Sequence, residues 1–504
     1  MGTGQVFLEK NIKSMAKTIY RKYHHFHHSS DSTYKVLTAI FILSISSVLL
    51  LVFGSEQPPG SDPPVEFLYT FLSSACGVVS LLLIISSPSL AQLKTIYILS
   101  LALLLRTLTL FAWPLLEDDF FRYLWDGRQT AEYLSPWRFA PLTFFADETL
   151  SEHWQSILSG INHPELTSIY GPALQYLFAF SYIIAPGELW PIQSLMILAD
   201  MAILLILTQK CIGKHWLLAY AIHPLLLKET VASAHPDSLM VMCLLIGWFS
   251  WQDKKGITTG FFIGLALTAK VSALIALPFL LISPYIFLKG NRGNGQIKQL
   301  LVAFFGDFNW SLKVLLGLCI ALVIMYMPFL GGKTSELSSL STFGQQWRFN
   351  PLLFRLIEQV SFIAYPRLAA TTIIAFGIIL LLTSWLKGNP TTKVSDSFRP
   401  PLPPIDLAFF LLLMCSPVIN SWYWLWILPL AIVQHRTWLV AVCSVSICAY
   451  INSSVFYVAN RAGVNVDESL FTTPWPVTWL QLSLIAILWL LLSPRSRYSI
   501  LKRP

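Results

Sequence analysis

Long apolar blocks, each of about 18 to 25 residues, constrain this chain more than any other feature. At a rise of 1.5 Å per residue, a helical block of this length crosses a hydrocarbon layer about 30 Å thick. Of the 504 residues, 55% are hydrophobic and only 12% are charged. This balance excludes a water-soluble globular protein, a disordered chain and a transmembrane barrel of short alternating segments. We predict an all-α, polytopic transmembrane helical bundle of about 12 to 13 spans.

Positive charge occurs in short clusters rather than in one patch. The net charge is +8, from 34 Lys and Arg against 26 Asp and Glu, and the clusters lie between apolar blocks. Clusters of this kind mark the cytoplasmic side of a membrane protein, so we expect cytoplasmic termini and no nucleic-acid partner. The chain then divides into a basic tail, three spans, an outer loop and the rest of a single membrane domain, at residues 1–34, 35–113, 114–170 and 171–504.

The first two spans are expected at about 35–54 and 66–86, and Lys94 and Lys254 on the cytoplasmic side. Two segments complicate this count of spans. The block 216–227 is short for a span and contains His223-Pro224, so we predict that it does not cross, which places Lys210 and Lys214 on the outer side. The apolar run 257–288 is longer than one span needs, and Lys270 divides it.

Three consecutive acids, Glu117, Asp118 and Asp119, follow the third span. Like charges so close raise one another's pKa, and an apolar interface raises it further, so one of these carboxylates is a candidate general base. The alternative is a polar boundary that only ends the helix.

The residues after these acids add chemistry of other types. On a helix, Asp119, Arg122, Tyr123 and Asp126 share one face at three- and four-residue spacing. An acid, a cation and a phenol would then converge at the membrane surface. The alternative is that Arg122 and Arg128 pair with neighbouring acids, while the aromatic residues form an interfacial belt.

Later outer loops contribute further polar groups at the ends of spans. These are His235 and Asp237, Trp347 and Arg348, and Trp422 and Tyr423. A single histidine at a span end is more often structural than catalytic, and interfacial Trp or Tyr is usually an anchor. Lys270 lies in an apolar sequence, where an ammonium group either snorkels to the surface or binds an anion.

These motifs, in this order, resemble a known family. The run EDDFFRYLWDGRQTAEYLSPWRFAP, followed by INHPELTSIYGPALQYLF, is similar to the first outer loop and following helix of bacterial GT-C glycosyltransferases. It is most similar to the polyprenol-phosphate-mannose-dependent group near glycosyltransferase family 87. The later segments HPLLLKETVASAHPD, QQWRFNPLLF and SPVINSWYWLWILP extend the resemblance over about residues 110–430.

The resemblance implies a GT-C-like fold with amphipathic helices in a large first outer loop, and an inverting enzyme of the bacterial inner membrane. It would transfer a hexose such as mannose from a polyprenyl-phosphate donor to a glycan or lipid acceptor on the outer face. Asp119 would be the base, with Asp118 as the close second. The residues expected to bind the donor phosphate or substrate are Arg122, Tyr123, Asp126, Arg128, Tyr170, His235, Asp237, Lys270, Trp347, Arg348, Trp422 and Tyr423.

Three alternatives stay open at this stage. A divalent metal would fit the acids, and the tract YHHFHH at 23–28 has the composition of either a metal-binding or a solvated or interfacial segment. A lipid or solute transporter would need charges near span midpoints, where only Arg106, Asp200 and Lys270 lie. A catalytically silent assembly subunit would keep the spans without needing the acids.

Overall fold

The fold is described from a computed structural model of the chain, which covers residues 30–55, 63–210, 212–287, 307–332, 335–360, 364–387, 399–451 and 473–493. Most of the predicted basic tail, its histidine tract and the C-terminal end lie outside these residues. Within them the regular structure is helical, and an isolated parallel bridge joins Phe349 to Val418. The predicted all-α, polytopic class is confirmed.

The helices follow one another along the chain with short connections. They are α1 (Ser30–Gly54), α2 (Pro63–Ile85), α3 (Thr95–Thr109), α4 (Asp119–Tyr133), α5 (Glu152–Ser159), α6 (Pro172–Ile184), α7 (Trp190–Gln209), α8 (Lys214–Ala221), a π-helix (Leu226–Ala232), α9 (Asp237–Gln252), α10 (Gly256–Ala269), α11 (Leu277–Leu280), α12 (Phe308–Tyr326), α13 (Leu337–Gln346), α14 (Leu353–Glu358), α15 (Pro366–Lys387), α16 (Ile405–Met414), α17 (Leu428–Val433), α18 (Thr437–Val445) and α19 (Trp475–Leu492). Short 3₁₀ turns cover Pro88–Gln92, Pro141–Phe144, Val271–Ala276, Pro284–Phe287, Met327–Gly332, Ser421–Trp426 and Ser446–Tyr450.

Six helices in the described part of the chain are long and apolar enough to cross a membrane, namely α1, α2, α7, α12, α15 and α19. The π-helix and α9 would add one more if they form a single span, bent by 112° between them. The other apolar segments are shorter helices, among them α3, α6, α10 and α16. The predicted spans 35–54 and 66–86 correspond closely to α1 and α2.

Glycines bring α10 and α12 into backbone contact. Gly260 and Gly264, four residues apart on α10, face α12, while Gly317 on α12 faces α10. A methyl group on Gly260 would collide with the carbonyl oxygen of Val314. Small residues at this spacing let two membrane helices approach closely, so dispersion contacts hold the pair together in an apolar solvent.

The segment from α8 to the π-helix runs alongside α3 from end to end. Lys214 Nζ donates to the Thr95 hydroxyl at the start of α3, and Lys228 Nζ reaches Glu117, beyond its C-terminal end. Residues 216–227, predicted not to cross, therefore run along the length of α3, interrupted at His223-Pro224, where proline removes a backbone donor.

The predicted outer position of Lys210 and Lys214 is corrected by the same contacts. Lys210 Nζ lies 3.0 Å from an oxygen of Asp253 at the end of α9, next to Lys254. Because Lys214 meets α3 beside Lys94, these basic residues lie at one end of the bundle, as the positive-inside rule requires. The correction concerns Lys210 and Lys214 alone, since Lys94 and Lys254 were already expected on the cytoplasmic side.

Helix α6 is the better candidate for a segment that does not cross. Tyr170, just before α6, contacts Asp119, and Gly187, just after it, packs against the ring of His153 in α5. Both ends of α6 therefore contact residues of the 114–170 region, while Gly127 of α4 packs against the backbone of Phe178 in its middle.

Lys270 ends α10, as the sequence predicts for the long run 257–288. The α-helix stops at Ala269, Lys270 adopts an extended conformation, and the 3₁₀ turn Val271–Ala276 follows. The break lets the ammonium group turn towards α9 rather than towards lipid.

Candidate active site

The acidic residues are positioned by the start of α4. The chain turns at Leu116, whose φ of 59° is left-handed and whose amide donates to the Glu66 carboxylate at 2.7 Å. Asp118 then caps α4 and Asp119 is its first residue. Carboxylates at this position are favoured by the helix dipole and by the free amides of the first turn.

Asp119 faces two tyrosines. Its Oδ2 lies 3.5 Å from the hydroxyl of Tyr123 and 3.4 Å from that of Tyr170. The two rings meet edge to face, and Phe178 stacks on Tyr123 at 4.9 Å. Burial raises the pKa of both tyrosine hydroxyls, so both stay protonated and donate to the carboxylate.

The three consecutive acids differ in exposure and in pKa. Asp118 is exposed, Asp119 is partly buried and Glu117 turns inward. Desolvation by the surrounding protein, followed by the charges of Asp119 and Glu117, raises the pKa of Asp118 to about 7. Burial also raises the pKa of Asp119, opposed by His235 and Lys270. Asp118 therefore exchanges its proton near neutral pH, and Asp119 binds a proton more readily than an ordinary aspartate does.

His235 connects Asp119's surroundings to the bundle interior. The Nδ1 atom of this buried ring lies 2.9 Å from the Tyr123 hydroxyl, and the ring stacks on Trp422 with centroids 3.9 Å apart. Its other nitrogen, Nε2, faces the carboxylates of Glu117 and Glu229.

Lys270 forms a buried ion pair instead of snorkelling to the surface. Its Nζ lies 2.8 Å from Asp237 Oδ1, and Trp426 Nε1 donates to the same oxygen at 2.5 Å. The ammonium also lies 5.2 Å from the centre of the Tyr423 ring. Asp237, Lys270 and Tyr423 thus lie together on the His235 side of the site.

A second polar cluster, which the sequence motifs did not single out, lies behind the first. Lys228 Nζ is 3.3 Å from Glu117 and 3.1 Å from Glu229, and the Tyr450 hydroxyl contacts both carboxylates. Ser421 also donates to Glu229. The charged pair Lys228-Glu229 inside an apolar block was a usable signal, because adjacent buried charges need partners. Nothing in the sequence pointed to Tyr450.

Asp126 lies deeper along α4 and is buried. It accepts hydrogen bonds from Ser168 and, at 3.2 Å, from Gln175. Burial raises its pKa to about 6, while Arg122 and these hydrogen bonds act in the opposite direction. The carboxylate therefore ties α4 to the segment before α6. Its partners Ser168 and Gln175 also contact the backbone of Tyr170, whose hydroxyl contacts Asp119.

Arg122 and Arg128 have protein partners outside the Asp119 cluster. Arg122 donates to the carbonyl oxygens of Asn162, His163 and Leu166 at 3.2, 2.9 and 3.0 Å, which fixes the loop that leads back to Tyr170. Arg128 pairs with Glu132 at 3.2 Å and lies over the rings of α4 and α5 aromatic residues.

Trp347 and Arg348 lie near that loop. The Trp347 ring packs on His163 with centroids 4.4 Å apart, which links this segment to the carbonyls held by Arg122. Arg348 is half-exposed and lies 3.0 Å from Glu358. A pocket of 330 Å³ begins at this pair and is lined by Arg348, Pro351, Arg355, Glu358, Gln359, Pro366 and Thr473.

Comparison with known proteins identifies the central part of this architecture. Residues 102–285 match the model of the MptA_B family, described as the N-terminal domain of an alpha-(1->6)-mannopyranosyltransferase. Residues 102–285, less than half of the chain, are thus similar to a mannosyltransferase domain. This match confirms the predicted resemblance to GT-C mannosyltransferases and supports a membrane glycosyltransferase. No curated protein and no solved structure matches it.

The matched segment, residues 102–285, includes most of the cluster around Asp119. Asp118, Asp119, Tyr170, His235 and Lys270 all lie within the matched residues. Trp422, Tyr423 and Tyr450 lie beyond them, so part of the site is built by the C-terminal part of the chain.

Proposed function

We propose that this glycosyltransferase moves a hexosyl group, mannose in the first instance, from a polyprenyl-phosphate donor to an acceptor hydroxyl, with inversion at the anomeric carbon. Asp119 is the base in this proposal. The acceptor is a glycan or a lipid, and the reaction takes place on the outer face of a bacterial inner membrane.

The observation that carries the proposal is the position of Asp119. Its carboxylate is partly buried, has a raised pKa and receives two tyrosine hydroxyls, inside the part of the chain that matches a mannosyltransferase family. A general base is most effective when its pKa lies near the working pH. Enough of the base is then ionised, and it still accepts a proton readily.

The chemical step needs few protein groups besides the Asp119 carboxylate. The acceptor oxygen forms a bond to the anomeric carbon as the bond to the phosphate oxygen breaks, so that the electron pair leaves with the polyprenyl phosphate. Asp119 takes the acceptor proton. Fixed positive charge near the departing phosphate lowers the barrier, and Lys270 and Arg348 are the candidates for this role.

The proposed outer position follows from the ends of α3. Lys94, Lys214 and, through Asp253, Lys210 collect at one end, whereas Asp118 and Asp119 lie beyond the other end. Because basic clusters mark the cytoplasmic side, the acids belong to the opposite side, where an acceptor in the periplasm would reach them.

The decisive experiment is a transfer assay with the purified full-length protein in lipid nanodiscs. Radiolabelled polyprenyl-phosphate mannose and a nucleotide-linked mannose are offered separately with membrane acceptors. We expect label to move only from the lipid-linked donor, and NMR of the product to show inversion. Transfer from the nucleotide sugar alone would contradict the proposed donor.

The base assignment is tested in the same assay by Asp119→Asn. We expect a loss of about 100-fold or more in turnover, because removal of a general base typically costs 10²–10⁴-fold. Asp147→Asn is the matched control, since Asp147 is a partly exposed acid of the same region whose side chain contacts Thr149. Full activity of Asp119→Asn would overturn the assignment.

A further inference from the structure

The polar cluster behind Asp119 has the form of a cation site. We infer that Glu117, Glu229 and His235 together bind one divalent transition-metal ion of the Zn²⁺ or Mn²⁺ class. One ligand atom from each residue lies within 4.8 Å of the other two. The three residues come from the start of α4, the π-helix and the turn before α9, so the ion would hold three elements together.

The nitrogen of His235 that faces the acids has no hydrogen-bond partner in the described part of the chain. The residue is fully buried, and its Nε2 lies 3.6 Å from Glu117 Oε2 and 3.5 Å from Glu229 Oε2. These separations are too long for a good N–H···O hydrogen bond. They match two ligands of one ion, because tetrahedral bonds of about 2.1 Å put neighbouring ligand atoms about 3.4 Å apart.

The opposite side of the imidazole is already fixed. Tyr123 Oη lies 2.9 Å from Nδ1, and Trp422 stacks on the ring. If Nδ1 carries the proton and donates to Tyr123, the lone pair of Nε2 points at Glu117 and Glu229. A metal-bound histidine usually has its second nitrogen hydrogen-bonded in this way, which sets both tautomer and orientation.

Lys228 does not fill this position. Its ammonium approaches Oε1 of Glu117 and Oε2 of Glu229 and accounts for one positive charge against two buried carboxylates. Glu117 Oε2, the oxygen on the His235 side, is not the one that Lys228 contacts. A second positive charge on that side is therefore electrostatically favourable.

The ligand set indicates the class of metal. One imidazole and two carboxylates suit Zn²⁺ or Mn²⁺, whereas Mg²⁺ and Ca²⁺ prefer oxygen ligands alone. Three protein ligands leave a position for water or substrate, as in catalytic rather than structural zinc sites. The bound ion would also hold His235, and through it Tyr123, in place beside Asp119.

The site is tested by metal binding, without donor or acceptor, so the result is independent of the proposed transfer reaction. Full-length protein without a histidine tag is stripped with chelator, incubated with Zn²⁺ or Mn²⁺, desalted and analysed for metal. The background carries serine at His24, His25, His27 and His28, because that tract binds zinc by composition. We expect one equivalent of zinc and a higher melting temperature with the ion present.

Three variants locate the ion. His235→Gln and Glu229→Gln should weaken zinc binding by at least about tenfold. His223→Gln is the matched control, because His223 is equally buried but bonds to Ser444. Lys228→Met should keep or strengthen zinc binding, since it removes a competing cation. Equal zinc content in His235→Gln, or loss in Lys228→Met, would overturn the inference.

X-ray absorption of the zinc-loaded wild-type protein keeps the test valid if a ligand variant fails to fold. We expect nitrogen and oxygen ligands with the scattering of one imidazole. Sulfur ligation would place the ion at a cysteine elsewhere and would overturn the assignment, as would the absence of retained metal.

Discussion

At the residue scale, neighbouring acids acquire different properties from their partners. Glu117 turns to Lys228 and Tyr450, Asp118 stays open to water, and Asp119 receives the hydroxyls of Tyr123 and Tyr170. Burial is the largest cause that raises the pKa of each of them. From the sequence, like charges in a row beside an apolar span predicted a raised pKa for one of the three. Their division of partners was not predictable, since those partners come from distant parts of the chain.

The coupling between Asp118 and Asp119 predicts a specific change in pH dependence. The charge of Asp119 raises the pKa of Asp118. Because coupling between two titrating groups acts on both of them, loss of the Asp118 carboxyl in Asp118→Asn should lower the pKa of Asp119 and move the acidic limb of the kcat/KM profile to lower pH. The base must be ionised, so activity rises with pH through this limb in both proteins. Profiles over pH 5–8 check the shift, with Asp147→Asn expected to leave it unchanged. A limb moved to higher pH would contradict the coupling.

Two charges inside the helical bundle neutralise each other. Arg106 Nε lies 2.5 Å from Asp200, and Tyr220 donates to the same carboxylate at 2.5 Å. Arg106 also donates to the Ala221 carbonyl. Both charged groups are fully buried, as expected of a structural pair rather than of charges along a transport path.

This interpretation predicts a non-additive pair of variants. Asp200→Leu leaves the Arg106 charge buried and unpaired, so we expect a loss of about 3–5 kcal/mol in stability. The double variant Arg106→Leu/Asp200→Leu should recover most of it and keep transfer activity. Thermal unfolding in detergent and the transfer assay measure both quantities. A double variant that folds but is inactive would instead show that Arg106 and Asp200 are needed for activity.

At the element scale, the contact between α10 and α12 depends on glycine residues, whose side chain is a single hydrogen atom. Gly260→Leu should separate the helices, at a cost of about 1–3 kcal/mol, because the added side chain meets the backbone of Val314. The matched control is Gly344→Ala on α13, where an added methyl group has nothing within 4 Å. The melting temperatures of both variants test this packing, and equal values would contradict it.

Element boundaries were predictable where an apolar block is long and continuous. The predicted starts and ends of α1 and α2 agree with the structure within a few residues, because hydropathy over about 20 residues reports a span directly. The path of the segment 216–227 was not predicted, because the same window cannot detect a helix broken at proline. Contacts at Lys214 and Lys228, at opposite ends of α3, reveal its path.

At the scale of the whole molecule, the two ends of α3 carry opposite chemistry, with basic residues at one end and the acidic cluster beyond the other. We predict opposite exposure of single cysteines placed in a cysteine-free background. Glu152→Cys should react with an impermeant maleimide in intact spheroplasts, whereas Lys94→Cys and Lys255→Cys should react only after permeabilisation. Labelling of all three from one side would contradict the proposed orientation.

The site as a whole was only partly predictable. The sequence motifs named Asp119, Tyr123, His235 and Lys270, and the structure brings them together. The partners Lys228, Glu229 and Tyr450 were missed, because polar residues that meet only through the fold leave no local spacing. Contacts such as Tyr450 with Glu117, 333 positions apart, are a property of the tertiary structure alone.

The contact between Tyr450 and Glu117 bears on the order in which the site forms during synthesis. During translation, Glu117 and Glu229 enter the bilayer long before Ser421, Trp422 and Tyr450 have left the ribosome. Until then, the carboxylates of Glu117 and Glu229 lack these partners, and Lys228 is their nearest cation. A nascent chain halted before residue 421 would therefore hold an incomplete polar cluster, which only the last sixth of synthesis completes.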